Sequence, residues 1–326
     1  MPKKLPVVDV HAHILVPEML DFAFNRSQYA LIDNAKDASG KPAPVPPFLL
    51  NPMTDVKMRL AAMDKWGVDI QVISPSLLQQ SVYWAEPEEG LKWERLDNER
   101  IAETVAKAPD RLIGLGSVPL QDANLAAGEM ERAMRDLGLK GVTIGTEVGD
   151  RELGHPSLYP FWEKAEKLGA VILIHPAGSR YPRLARHRQI YSIGQPLEEA
   201  IAMTSLVYDG IMDKYPGLKI VVCHGGGYLP YYASRHDDNF RRNFYRINDR
   251  EFSTYLPQFY YDSVVFDPFM LEFLVHKVGA SRVMAGTDFP FCPDSPATTV
   301  RNARISEADQ DAIIFGNAAK MFGIPH

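Results

Sequence analysis

The chain has 326 residues, 46% of them apolar, and a formal charge of −6 at neutral pH. That is ample for a large core, and a chain of this length forms either two average domains or one α/β barrel. Acidic and basic residues are mixed without a basic block, which argues against nucleic acid as a partner, and no apolar stretch reaches the length that spans a bilayer.

In chain order, MPKKLPVVDVHAH opens with two lysines and an apolar run cut short by Asp9 and His11. It does not read as a secretory leader, so a cytoplasmic protein is expected. A first strand is expected over Pro6–His11. Residues about 24–52, rich in Pro, Gly, Asn and Asp, follow as a long loop insertion. Then a helix over Asp55–Lys65 leads to a strand at Ile70–Ser74, and a helix over Lys92–Ala108 leads to a strand at Leu112–Val118. The next pairs are Ala123–Leu137 with Gly141–Gly145, and Leu158–Leu168 with Ala170–His175. A second long loop, 177–195, carries Arg180, Arg183, Arg186, His187 and Arg188. The helix Leu197–Lys214 precedes a strand at Lys219–His224, Pro230–Arg242 precedes Phe259–Ser263, and Pro268–Val278 precedes Arg282–Asp288. A last helix is expected near Glu307–Met321.

Val171–Ile174 and Ile220–Val222 are continuously apolar, as in parallel strands covered by helices on both faces. Eight β–α units predict an α/β fold, a (β/α)8 TIM barrel, with residues 1–326 as a single domain. A doubly wound open sheet is the competing arrangement. A barrel makes a demand of its own, because its reactive residues belong at the carboxyl ends of the strands.

Four strand ends meet that demand. The first ends VDVHAH, whose histidines are two apart and so face the same way on an extended chain. The fifth ends ILIHP, the sixth VVCHGGG and the eighth MAGTDFP. Imidazole and carboxylate suit zinc and similar ions, so His11, His13, His175 and Asp288 are expected to hold one divalent metal with a position left open for water or substrate. A lone strand-end histidine is ordinarily just a satisfied polar residue; four agreeing positions are not. His224, also at a strand end, reads either as a further ligand or as a base beside the metal. The glycines Gly225, Gly226 and Gly227 allow a sharp turn and a close approach of substrate. Cys223 and Cys292 form neither a disulfide framework nor a cysteine zinc site and read as reduced thiols.

The set VDVHAH, ILIHP, VVCHGGG, MAGTDFP and the late FGNAAKMFG resembles the amidohydrolase superfamily, specifically amidohydrolase-related family 2. YWAEPEE, RLIGLGSVPLQDANLAAGEMERA, GVTIGTEVGD and FYYDSVVFDP extend the likeness to its aminocarboxymuconate-semialdehyde decarboxylase branch, over about residues 7–322. The resemblance implies a metal-binding, non-oxidative decarboxylase, a carboxy-lyase, acting on a small unsaturated or aromatic carboxylic acid in aromatic compound catabolism. A hydrolase of an amide, ester, lactone or C–C bond, or a hydratase, is the alternative. It implies zinc, with manganese as the other candidate, on His11, His13, His175 and Asp288. It makes His224, with Asp288, catalytic, His224 being acid/base toward a metal-bound water or a substrate oxygen. It also implies a homodimer in which Arg235 reaches the neighbouring pocket to bind a substrate carboxylate; the alternative for Arg235 is a surface ion pair with Asp237 or Asp238.

Three positions depart from the branch. Its substrate-binding arginine falls near Pro47, and no arginine lies between Arg26 and Arg59. A family histidine after the fourth strand is Glu147. HPWDM after the fifth strand is HPAGSR, which brings in Arg180. These changes argue against a dicarboxylate substrate. Arg180, Glu147, Tyr83, Trp84 and Phe291 are the remaining substrate-binding candidates, the aromatics by stacking on a flat substrate, with packing in the core as the commoner role for any one of them. Glu147 is also a candidate for a second metal, against the single ion expected. Asp262 reads as a support behind the ligands and Asn98 as structural, and His155, His187, His236, His276 and His326 read as solvated or capping residues.

Overall fold

A computed structural model describes residues 5–26, 47–76, 79–179, 181, 183–184, 187, 189–244, 247–292 and 294–325. The parallel strands are β1 Val8–Ile14, β2 Ile70–Pro75, β3 Leu112–Gly114, β4 Gly141–Ile144, then, after a small antiparallel hairpin of β5 Glu147–Val148 and β6 Arg151–Glu152, β7 Val171–Ile174, β8 Lys219–Val222, β9 Tyr260–Asp262 and β10 Val283–Met284. They pair in the orders β1-β2-β3 and β4-β7-β8-β9-β10. Two seams join these sheets. Gly116 bridges Val142 beside β3 and β4, and Ala12 bridges Phe289 beside β1 and β10. The second seam is held by Val10 N donating to Ala285 O at 2.9 Å, His13 N to Phe289 O at 2.9 Å and Phe289 N to His11 O at 3.2 Å. The expected TIM barrel is therefore closed, with all eight strands where the sequence places them.

The strands alternate as a barrel wall requires. Val171 and Leu173 pack into the interior with Val8, Val10, Val72, Leu115, Val221, Cys223 and Met284, while Ile172 and Ile174 face the helical ring. His175 continues the inward series. In β1 the register slips by one residue between Asp9 and Ala12. Without that bulge Val8 and Val10 would put Ala12 inside; with it, His11 and His13 point into the barrel mouth instead.

The helices start and stop on local signals. Asp55 accepts from Met58 N before α3 Val56–Trp66, and Gly67 ends that helix at φ 66. Asp122 caps α5 Ala123–Arg135, and Asp267 caps α10 Pro268–Val278, where Pro268 sits in the first turn. The helix expected over Leu197–Lys214 is two, α7 Gln195–Tyr208 and α8 Ile211–Lys214, divided at Gly210 with φ 79. The last helix is likewise interrupted, by a wide turn over Ala312–Gly316. Three helices went unforeseen: α1 Pro17–Arg26, α2 Pro47–Thr54 and α11 Pro296–Asn302. α1 and α2 flank the long loop after β1, whose interior lies outside the described residues. No helix among the described residues is long and apolar enough to cross a membrane.

Behind β3, α4 Pro87–Ala106 buries Glu94, Asp97 and Asn98 completely. Asn98 is structural as expected: it clamps Ser117 through Ser117 N at 2.8 Å and Ser117 O at 3.0 Å. The Ser117 hydroxyl lies between the Glu94 and Asp97 carboxyls. Burial pushes the Asp97 carboxyl up to about 7. Unfolded Asp97 loses its proton near its ordinary value of 3.8, whereas the folded group keeps it to about 7. The stability contributed by Asp97 is therefore full below about pH 4 and is lost as pH rises to about 7. Asp97→Asn should flatten this slope, leaving the variant the more stable at pH 8 by on the order of a few kcal/mol. Urea unfolding at pH 5 and pH 8 measures it; parallel pH profiles for the two proteins would refute it.

Candidate metal centre

Five side chains converge at the carboxyl mouth of the barrel. β1 supplies His11 and His13, β7 leads into His175, β8 into His224, and β10 into Asp288. Two of them sit on backbone that L-residues rarely adopt, His224 at φ 49 and Asp288 at φ 56. The cost of these turns is of order 1 kcal/mol or more each, and each aims its side chain into the mouth.

Asp288 is the hub. Its Oδ1 lies 3.0 Å from His13 Nε2 and 3.3 Å from His11 Nε2, and its Oδ2 lies 3.7 Å from His224 Nε2. His175 faces His13 with ring centroids 4.6 Å apart. Donor atoms of His11, His175, His224 and Asp288 all lie within 4.8 Å of one another. His13 joins them through Asp288. His11, His13 and His175 are buried to 1% exposure or less, whereas the His224 and Asp288 side chains keep 10% and 15%.

The outer ring nitrogens are held from behind. His11 Nδ1 meets Asp262 Oδ2 at 2.6 Å, and Asp262 Oδ1 accepts from Gly225 N and Val264 N. His13 Nδ1 lies 3.4 Å from Pro75 O. His224 Nδ1 meets Glu199 Oε1 at 2.6 Å. Gln80 donates to His175 O at 2.6 Å. Below them runs a buried chain. Arg59 donates to His13 O at 2.5 Å and to Gln71, Gln71 donates to Asp9, and Asp9 accepts from Thr287, the neighbour of Asp288. Arg59 also covers the Phe289 ring at 4.7 Å, and burial pulls its guanidinium down to about 9.

The inner nitrogens are different. His11 Nε2 and His175 Nε2 are buried without a hydrogen-bond partner. A buried donor or acceptor left so costs on the order of 1–3 kcal/mol, and three imidazoles with one carboxylate are the donor set for a divalent cation. The residues present fit one.

The electrostatics agree for Asp288, His13 and His175, whereas burial of His11 is outweighed by Cys223, Asp288 and Asp262, which raise it well above its ordinary value. Burial opposes charge on Asp288, but the surrounding histidines hold its carboxyl well below the usual range. Burial, then the neighbouring imidazoles, push His175 well down, and burial lowers His13. Those two are neutral and ready to ligate. Burial works against the His224 cation, yet the Glu199 and Asp288 carboxylates outweigh it and raise His224 well above its ordinary value. Burial pushes Glu199 up to about 7 while His224 pulls it back.

The remaining sequence candidates divide. Phe291 is 45% exposed, and its ring lies 5.9 Å from that of His13. Tyr83 is buried, its hydroxyl accepting from Gly145 N at 3.3 Å, just before Glu147. Glu147 is half-buried in the β5–β6 hairpin. Trp84 packs against Phe22 at 4.8 Å with Trp93 close by, in a cluster behind β1. Arg235 is exposed on α9 Leu229–Arg241, and the nearby Asp238 pairs instead with Arg242. Arg180 and His326 lie outside the described residues. His155 caps a short turn through Ser157 N, and His236 pairs with the Tyr208 hydroxyl at 2.8 Å. Glu199 and the Arg59 chain were missed; no sequence spacing ties a helix carboxylate to a histidine 25 residues on.

Comparison with known proteins places this geometry. The family model described as Amidohydrolase matches residues 8–324. The chain is 34% identical to 2-amino-3-carboxymuconate-6-semialdehyde decarboxylase of Dictyostelium discoideum, over 83% of this chain and 77% of that one. Its fold matches the crystal structure of 5-carboxyvanillate decarboxylase from Sphingomonas paucimobilis with a TM-score of 0.88 and 27% identity, covering 99% of this chain and 100% of the other. It also matches a dihydroxybenzoic acid decarboxylase from Polaromonas with bound manganese and 2-nitroresorcinol, with a TM-score of 0.81 and 25% identity, covering 98% of each chain.

Asp262→Asn tests the support behind the centre. An amide nitrogen turned toward His11 Nδ1 makes that atom an acceptor and moves the ring proton to Nε2, where it blocks ligation. Metal affinity should fall by about 10- to 100-fold, measured by competition with a chromophoric chelator. Unchanged affinity in the folded variant would contradict this.

Proposed function

The chain belongs to the amidohydrolase family, and on that premise we propose that it is a metal-dependent, non-oxidative decarboxylase of a hydroxylated aromatic carboxylic acid. The observation that carries this is the pair of buried inner nitrogens that make no hydrogen bond, His11 Nε2 and His175 Nε2, beside a carboxylate and an acid/base histidine. The three similar proteins named above are decarboxylases of different acids, which favours a lyase over a hydrolase.

In this reading His11, His13, His175 and Asp288 hold one divalent ion, zinc or manganese. When bound, the ion acts as a Lewis acid that holds and polarises a substrate or water oxygen. His224 serves as acid/base. Its support is position: with Asp288 it keeps exposure at the mouth, where a group that meets substrate has to be, while the three other histidines are closed off. Loss of carbon dioxide leaves an electron pair on the carbon that carried it, and that carbon takes up a proton. His224 Nε2, 3.7 Å from Asp288 Oδ2, supplies that proton.

An aromatic acid is preferred to a dicarboxylate for two reasons. No arginine lies between Arg26 and Arg59 to clamp a second carboxylate, and the half-exposed Phe291 offers a ring face beside His13. Tyr83 and Glu147 line the β4 side of the same mouth. We assign the enzyme to the cytoplasm, which suits the two free thiols Cys223 and Cys292. We assign it also to a homodimer. Tyr228 and Tyr232, 37% and 63% exposed, precede Arg235 by seven and three residues and so share its face of α9, an aromatic surface suited to a second copy.

Carbon dioxide release should follow addition of one or more members of a panel of hydroxybenzoates to the zinc- or manganese-loaded protein. His224→Asn should keep about one ion per chain and lose turnover by roughly 10²- to 10⁴-fold. Loss of the ion along with turnover would make His224 a ligand. Hydrolysis of ester or amide analogues without carbon dioxide release would replace the lyase by a hydrolase.

A further inference from the structure

Glu199 has no part in the chemistry described so far. It lies on α7, 25 residues before His224, and is completely buried. Its Oε1 meets His224 Nδ1 at 2.6 Å, and its Oε2 has no hydrogen-bond partner. A carboxylate without a purpose is costly in such a place, since burial of its charge is recovered only through a partner that needs it.

The backbone is shaped to deliver it. Pro196 lies in the first turn of α7, and Glu199 follows just after that turn. That turn presses on the glycine loop so closely that a Cβ at Gly227 would stand 2.2 Å from Pro196 O and 2.9 Å from Pro196 C. Gly227 also sits at φ 61 and ψ −131, a conformation open to glycine. The loop that turns His224 into the mouth thus also gives up its side chain at Gly227 so that α7 can come within reach.

We propose that Glu199 is a positioning residue: it accepts the Nδ1–H of His224, fixing that tautomer and ring orientation so that Nε2 is the atom that exchanges a proton at the mouth. The logic is that of donors and acceptors. An ionised carboxylate only accepts, so the atom it meets at 2.6 Å has to carry hydrogen. Of the two ring nitrogens, Nε2 is then the one that gains and loses a proton, and it faces Asp288 Oδ2. The role is distinct from that of Asp262, whose carboxylate sets the tautomer of a histidine assigned as a ligand. Glu199 sets that of the histidine left free to act. This rests on the reading of His224 as acid/base.

The test uses the zinc-loaded full chain labelled with ¹⁵N-histidine, the His224 signals being identified by their loss in His224→Asn. In the unaltered protein the His224 Nδ1 signal should carry a directly bonded proton. Glu199→Leu should lose that signal or split it with the Nε2–H tautomer. Glu199→Gln, which keeps the shape of the side chain and offers both an acceptor and a donor, should show both tautomers and covers the case in which the leucine variant does not fold. Zinc content should stay near one ion per chain in both. On any hydroxybenzoate the enzyme turns over, kcat should fall at least about 10-fold with KM within twofold. Unchanged His224 signals in a folded variant would overturn the proposal, and so would loss of zinc from both. The nuclear magnetic resonance result stands whether or not any acid on the panel is decarboxylated, so failure of the decarboxylase reading is told apart from failure of this one.

Discussion

The seam between β1 and β10 makes the centre possible. Three backbone hydrogen bonds there join the strand that carries His11 and His13 to the strand that ends in Asp288. They close the barrel, and they also set two imidazoles within 3.3 Å of one carboxylate oxygen. The residues are about 275 positions apart in sequence, so nothing local brings them together. Because the same bonds that complete the fold define the centre, a loosened seam would cost stability and ligation together.

Everything around the seam stiffens it. Asp9 accepts from Thr287 and from Gln71, Gln71 from Arg59, and Arg59 reaches back to the carbonyl of His13 while covering Phe289. An arginine buried in this way needs all its partners, since a guanidinium stripped of water and left unpaired would be strongly destabilising. The chain of contacts runs from α3 through β2 and β1 to β10. It fixes the backbone of the ligand-bearing strands from outside the barrel, while Asp262, Gln80 and Glu199 fix side chains or backbone from within the mouth. A cation meeting this centre finds its donors already oriented, which lowers the entropy lost on binding.

Much of this was legible in the sequence, and the reason is periodicity. Eight apolar runs of strand length, each followed by a helical pattern, imply the barrel, and the barrel in turn implies that strand-end histidines matter. His175 could be placed on a wall by simple alternation from Val171 and Leu173. His11 and His13 show the limit of that argument. Their common face was visible in the spacing, but their inward direction depends on a bulge between Asp9 and Ala12 that alternation alone gets wrong. His224 and Asp288 likewise turn inward through positive φ, which histidine and aspartate do not announce. Long-range partners left no trace at all. Glu199 looked like an ordinary helix glutamate, and the break at Gly210 was hidden within a continuous helical pattern.

The division of labour proposed among the histidines is the central claim: His11, His13 and His175 serve as ligands with Asp288, while His224, at the same mouth but slightly exposed and held by its own carboxylate, serves as acid/base. X-ray absorption spectroscopy of the zinc-loaded protein tests it most directly, because imidazole scattering counts coordinated histidines. Three imidazoles and one or more oxygens, unchanged by His224→Asn, is the predicted result. A fourth imidazole that disappears in His224→Asn would contradict it.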